Sequence, residues 1–242
     1  MQTTQDKHKM LAIRLENVRF RWPGAESETL HIPHFSMSQG ERVFISGPSG
    51  CGKSTLLGLI AGILVPTEGD VLVQGCALDS LGSAGRDRFR GDHIGFIFQQ
   101  FNLVPYLSVV ENVLIPCRFS QRRLKQAKEQ GKNLKDVVKM LLQRLDLEET
   151  LWSKPVRTLS IGQQQRVACA RALIGQPELI IADEPTSALD SDRRVAFLHL
   201  LLEECISQGT ALLFVSHDEV LAEAFPRTVR MQDINKIERG ES

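Results

Sequence analysis

From Leu11 the chain alternates apolar and polar positions through "LAIRLENVRFRW", the period of a strand with one covered face. "ERVFISG" is a second apolar run, and it leads into a glycine-rich stretch, "GPSGCGKST" (Gly47–Thr55). Overlapping the end of that stretch, "KSTLLGLIAG" has the length and residue types of a buried helix. Turn chemistry in "PTEG" precedes the short strand "DVLVQG", and "DHIGFIFQ" adds an apolar run rich in β-branched and aromatic residues. Between about Phe101 and Leu159 the pattern becomes helical. "LSVVENVLIP" predicts a helix that stops at Pro116, and the next segment places Leu134, Val137, Val138, Leu141, Leu142 and Leu145 on one stripe. Beyond this insertion, "ELIIAD" and "ALLFVS" are continuous apolar runs, the form of parallel strands covered on both faces. The helix between them, from about Asp192 to Gln208, is read with Val195, Leu198, Leu201, Leu202 and Ile206 on its buried stripe. The final "NKIERGES" reads as a polar, frayed tail.

At 242 residues this alternation fits a single α/β domain. The 29 basic residues cancel the 29 acidic ones, which removes any general electrostatic attraction to nucleic acid. Five scattered cysteines with no C-x-x-C spacing argue against a disulfide framework and a zinc site, and point to a reducing, cytoplasmic compartment. The polar N-terminal decapeptide lacks the apolar core of a secretory signal, and even "STLLGLIAGILV" is broken by glycines and stops at Pro66. Any membrane role is therefore expected to be peripheral.

The spacing from Gly47 to Gly52, Lys53 and Ser54 fits G-x-x-x-x-G-K-[ST], a loop whose backbone N–H groups wrap nucleotide phosphates. Gly47, Pro48, Ser49, Gly50, Cys51 and Gly52 would form the cradle, helped by the positive end of the following helix dipole. Lys53 would reach the outer phosphates, Ser54 would ligate Mg²⁺, and Thr55 would donate to an inner phosphate. In "LIIADEP", Asp183 stands at a strand's C-terminal end, where an open α/β sheet places its ligands. It would hold Mg²⁺ through the ion's water shell, and Glu184 would act as general base on the water attacking the γ-phosphate.

"LSIGQQQRVACARAL" (Leu159–Leu173) resembles the signature segment of the ATP-binding cassette (ABC) ATPases. With it, in that family's order, come "FIFQQFNL" resembling the Q-loop, "SALD" resembling the D-loop and "FVSHD" resembling the switch-histidine strand. The resemblance runs from about Leu11 to Met231. It implies a P-loop NTPase core with a mainly parallel sheet (about 11–100 and 160–235), an N-terminal antiparallel β part, and a helical subdomain (about 101–159) inserted before the signature. It also implies a homodimer with two ATP between the protomers, each site completed by Ser160, Gly162 and Gln163 of the other chain. His217 would contact the γ-phosphate, Gln99 would reach Mg²⁺ or the attacking water, and Asp190 would cross the dimer seam. Trp22 falls where the family has an adenine-stacking tyrosine. Ile161 replaces the usual glycine at the signature's third position, a change expected to leave function intact.

Cys51 lies inside the phosphate loop, so its alkylation is expected to block ATP binding and nucleotide to protect it. The segment from Arg118 to Met140 carries eight Lys or Arg against two acids. It is either a solvated helix face or a surface near anionic lipid headgroups or a membrane partner's loops. The full hydrolytic set without a membrane span implies an ATPase subunit driving a separate permease, peripheral on the cytoplasmic face of the membrane. "SVVENVLIP" resembles the branch that serves lipoprotein release, macrolide efflux and cell division. A small-solute importer, or a soluble ABC ATPase acting on DNA or ribosomes, are the alternatives.

Overall fold

The computed structural model describes residues 11–131 and 133–237. The antiparallel part is a four-stranded sheet in the order β2-β1-β4-β5, built from β1 (Leu11–Phe20), β2 (Leu30–Ser38), β4 (Glu68–Val73) and β5 (Cys76–Ala77). The second sheet is parallel throughout, in the order β6-β7-β8-β3-β9. Its strands are β3 (Arg42–Ser46), β6 (Ile94–Ile97), β7 (Leu179–Asp183), β8 (Ala211–Val215) and β9 (Arg227–Arg230).

Alternation along the central strands divides the interior in two. Val43, Ile45, Leu179, Ile181, Ala211, Leu213 and Val215 face the antiparallel sheet and helix α1 (Lys53–Ile60). Their neighbours Phe44, Ile180, Ala182, Leu212 and Phe214 face the helices on the other side. Phe44 and Phe214, directly paired across β3 and β8, stack at 5.8 Å between ring centroids, and Phe225 packs on both.

The helical layer comprises α3 (Val109–Phe119), α4 (Gln121–Glu129), α5 (Leu134–Arg144), α6 (Ile161–Leu173) and α7 (Ser191–Gln208), and α2 (Ser83–His93) leads into β6. A capping box between Ser108 and Glu111 starts α3. The stripe expected on α5 is the buried one: Val137, Val138, Leu141, Leu142 and Leu145 are in the core, with Leu134 packed against it.

Three expectations are corrected. Helix α3 does not stop at Pro116 but continues to Phe119, where Ser120 closes it and caps α4, because packing against α6 carries it past the proline. The stripe of α7 is rotated: Val195 and Ile206 are exposed, while Phe197, Leu198, Leu201, Leu202 and Cys205 are buried. Its nine apolar residues spread over a wide arc of the helix, so periodicity alone does not fix which of them face the core. The expected frayed tail is tied down at its start, since Asn235 and Lys236 bond back to β2 after the short helix α8 (Met231–Ile234). Residues 238–242 of that tail, and the N-terminal decapeptide, lie outside the described residues.

Candidate nucleotide site

The carboxyl edge of the parallel sheet gathers the polar residues that the strands deliver. Gln99 stands two residues beyond β6, Asp183 ends β7 with Glu184 next, His217 follows β8, and Gly47 follows β3. Because β8 lies between β7 and β3, His217 is delivered between the acidic pair and the glycine loop. This edge is where open α/β sheets hold ligands. Trp22, Thr29, Ser49, Gly50, Gly52, Lys53, Ser54, Thr55, Gln99, Asp183, Glu184 and His217 line one cleft of about 470 Å³.

Glycine is required at position 52. Its φ of 99° is left-handed, and a Cβ there would lie 2.7 Å from Leu30 Cδ2. Residue 52 caps α1 with no side-chain bond, leaving the helix's first N–H groups free for an anion. Lys53 is buried and curls back over the loop, donating to the Gly47 carbonyl at 2.7 Å and the Pro48 carbonyl at 3.0 Å. Its Nζ lies 3.9 Å from Glu184 Oε1.

Glu184 adopts φ 46°, a left-handed conformation costly for a residue with a Cβ. It is fixed there by its N–H bond to the Val215 carbonyl at 2.9 Å. Its carboxylate pairs with His217 Nδ1 at 2.8 Å and accepts from Ser216 Oγ at 3.4 Å. Burial, and then the charge of Glu184, push the Asp183 carboxyl above its ordinary value, against the hydrogen bond from Ser54 and the charge of Lys53. Ser54 Oγ lies 3.4 Å from Asp183 Oδ2. A hydroxyl and a carboxylate converging in this way are hard oxygen donors that fit Mg²⁺ sharing its remaining positions with phosphate oxygens and water. Among the described residues no group of three or more His, Cys, Asp or Glu gathers to hold a metal by itself.

Trp22 meets Phe20 edge to face at 5.1 Å and is 46% exposed, so nearly half its surface stays open at the cleft. Cys51 departs from expectation: its thiol is buried among core residues, so only its backbone belongs to the loop and ready alkylation is not expected. Gly47 and Pro48 give their carbonyls to Lys53 and border a neighbouring hollow that reaches His217 and Met231.

The signature residues are elsewhere. Ser160 caps α6 in a capping box with Gln163, and together with Gly162 they line a separate hollow that also includes Leu189 and Arg193. No residue lines both that hollow and the cleft. Ile161 is 53% exposed in the first turn of α6, and Asp190 caps α7, accepting the Arg193 N–H at 3.0 Å.

Four residues at or near the site escaped the sequence reading. Thr29 lines the cleft; Asn112, fully buried, uses its amide to fix the loop from Val104 to Ser108. Arg171 holds the left-handed pair Phe101 and Asn102 by their carbonyls, and Asn235 bonds to the back of the phosphate loop. For Asn112 a signal exists: it is a polar residue on the apolar spacing of Val109, Val113 and Cys117.

The sequence profile of the ABC transporter family matches residues 30–187. MJ0796 of Methanocaldococcus jannaschii, named an uncharacterized ABC transporter ATP-binding protein, is 38% identical over 231 residues, covering 95% of this chain and 96% of that protein. A solved dimeric structure of the MJ0796 cassette in a post-hydrolysis state bound to ADP and Pi has a TM-score of 0.80 and 35% identity over 95% of this chain and 99% of its own. A structure of cbiO1 from Clostridium perfringens, part of the ABC transporter complex cbiONQ, has a TM-score of 0.71 and 28% identity over 86% of this chain and 79% of its own.

Proposed function

The chain belongs to the ABC transporter family, as its transporter ATPase subunit, and from that premise we propose that two copies close around two ATP molecules to drive a separate membrane protein. The observation that carries this reading is the separation of the cleft from the signature hollow. One chain holds two complementary halves that do not meet within it, and the relative solved with ADP and Pi is a dimer. Each cleft then receives Ser160, Gly162 and Gln163 from the other copy, with a hydroxyl and the positive end of α6 aimed at the γ-phosphate. Asp190 lies at the seam. The exposed Ile161 leaves the Gly162 N–H in place, so the signature keeps its donor.

In the closed site, the phosphate loop and Lys53 hold the phosphates, and Lys53 exchanges the Gly47 and Pro48 carbonyls for phosphate oxygens. Trp22 stacks on adenine. Ser54 and Asp183, with Gln99 beside them, would hold Mg²⁺, which would supply charge neutralisation of the phosphates. Glu184 takes the proton of the attacking water, and His217, already 2.8 Å from it, orients that water against the γ-phosphate.

Among the described residues no helix is long and apolar enough to cross a membrane. The family reading makes the membrane partner a permease on whose cytoplasmic side the dimer sits. An apolar groove beside Asn102, lined by Phe96, Phe98, Ile115, Pro116 and Phe119, offers a seat for one of its cytoplasmic segments. Phe119 is 86% exposed there. The "SVVENVLIP" segment favours a partner of the lipoprotein-release or efflux type, whereas similarity to cbiO1 keeps an importer as the second reading.

Glu184→Gln tests the composite site. With MgATP it is expected to elute as a stable dimer on size exclusion with light scattering while hydrolysis falls by at least about a hundredfold. Undiminished turnover removes Glu184 as the base, and a monomer with bound ATP removes the shared site.

A further inference from the structure

We propose that Asn235 is a positioning residue for ATP, fastening the phosphate loop to the segment on the adenine side of the cleft. This rests on the reading that the cleft binds ATP. The side-chain carbonyl of Asn235 accepts the His31 N–H at 2.9 Å, and its amide donates over longer distances to the Thr29 carbonyl at 3.3 Å and the Cys51 carbonyl at 3.4 Å. The amide's orientation is dictated by its partners: turned over, its oxygen would face two carbonyls and its NH₂ an N–H. One side chain thus spans three backbone groups, two in the segment that brings Thr29 to the cleft and one inside the phosphate loop.

The surrounding contacts make this a fastening and not merely a helix end. The N–H of Lys236 donates to the His31 carbonyl at 2.7 Å, a second bond to β2. Met231, fully buried, lies under the start of the loop; a Cβ on Gly47 would fall 2.9 Å from Met231 Cβ and 2.8 Å from Cys51 Sγ. A Cβ on Gly52 would meet Leu30 at 2.7 Å and the Thr29 carbonyl at 3.3 Å. The loop is therefore backed on one side by residues 29–30 and on the other by α8, and Asn235 joins those two supports. A loop that binds anions through backbone N–H groups depends on their fixed direction, so loosening the joint weakens ground-state binding of ATP without moving Glu184 or His217.

The test uses the full chain as wild type, Asn235→Ala and Asn235→Asp. It measures equilibrium binding of a non-hydrolysable ATP analogue with Mg²⁺, steady-state ATPase, and the melting temperature without nucleotide. Asn235→Asp keeps the acceptor for His31 but loses both donors, so it holds the fold while releasing the loop. Both variants are expected to raise Kd and KM about tenfold with kcat within about twofold of wild type. Wild-type affinity in Asn235→Asp overturns the proposal, as does a lowered melting temperature with unchanged Kd, or a fall in kcat alone. Failure of the wild-type chain to bind the analogue would instead overturn the reading of the cleft itself.

Discussion

Lys53 and Trp22 both line the cleft but do different work. The lysine has its ammonium occupied by the loop's own carbonyls, so its charge is held in place before any phosphate arrives. Trp22 contributes a half-open aromatic surface that rests edge to face on Phe20. Base stacking on an aromatic ring is worth ~1–3 kcal/mol. Trp22→Ala is therefore expected to raise the KM for ATP about tenfold with little change in kcat; an unchanged KM in steady-state assays would leave the ring a purely packing role. At this scale the sequence was most legible, because the spacing of Gly47–Ser54 and the position of Asp183–Glu184 after an apolar strand each encode a chemistry. The left-handed backbone of Glu184 and the inward turn of Cys51 were not legible, since both are decided by neighbours distant in sequence: Val215 in one case and the packing of Met231 in the other.

Among the elements, α6 is held at both ends. Its N-terminus is satisfied by Ser160 and Gln163, and its C-terminal carbonyls at Ala172 and Ile174 receive the guanidinium of Arg123, a fully enclosed residue contributed by α4. Close packing helps to explain this clasp: a Cβ at Gly95 would lie 2.3 Å from the Ala172 carbonyl, so β6 passes directly beneath the helix end. Burial pushes Arg123 down to about 10, which leaves it a cation at neutral pH. Arg123→Met removes the guanidinium donors from the Ala172 and Ile174 carbonyls, and each buried group left unpaired costs ~1–3 kcal/mol. A loss of about 3 kcal/mol in urea unfolding is expected; a difference under about 1 kcal/mol would show that water replaces the arginine. Element types were readable from period, as the stripe of α5 illustrates, but the facing of α7 was not. With its apolar residues spread over a wide arc, the choice of Phe197 over Val195 was made by its packing neighbours α6 and β8.

For the whole molecule, the groove near Asn102 connects the site to the surface. Arg171 of α6 grips the carbonyls of Phe101 and Asn102, and the groove that exposes Phe119 is lined by Asn102 and Arg171 themselves. Displacement of a segment seated there would press on the loop that carries Gln99. Phe119→Asp is expected to cut severalfold the membrane protein that co-purifies with the chain, and undiminished recovery would remove the groove as the seat. The central sheet has a further consequence. Because successive residues of β3, β7 and β8 point to opposite sides, the interior is two compartments separated by a shared wall. The helix-side compartment also backs the signature hollow through Leu147, Leu189 and Phe197, so a substitution that loosens its packing reaches the surface offered to the second copy as well as the helices themselves.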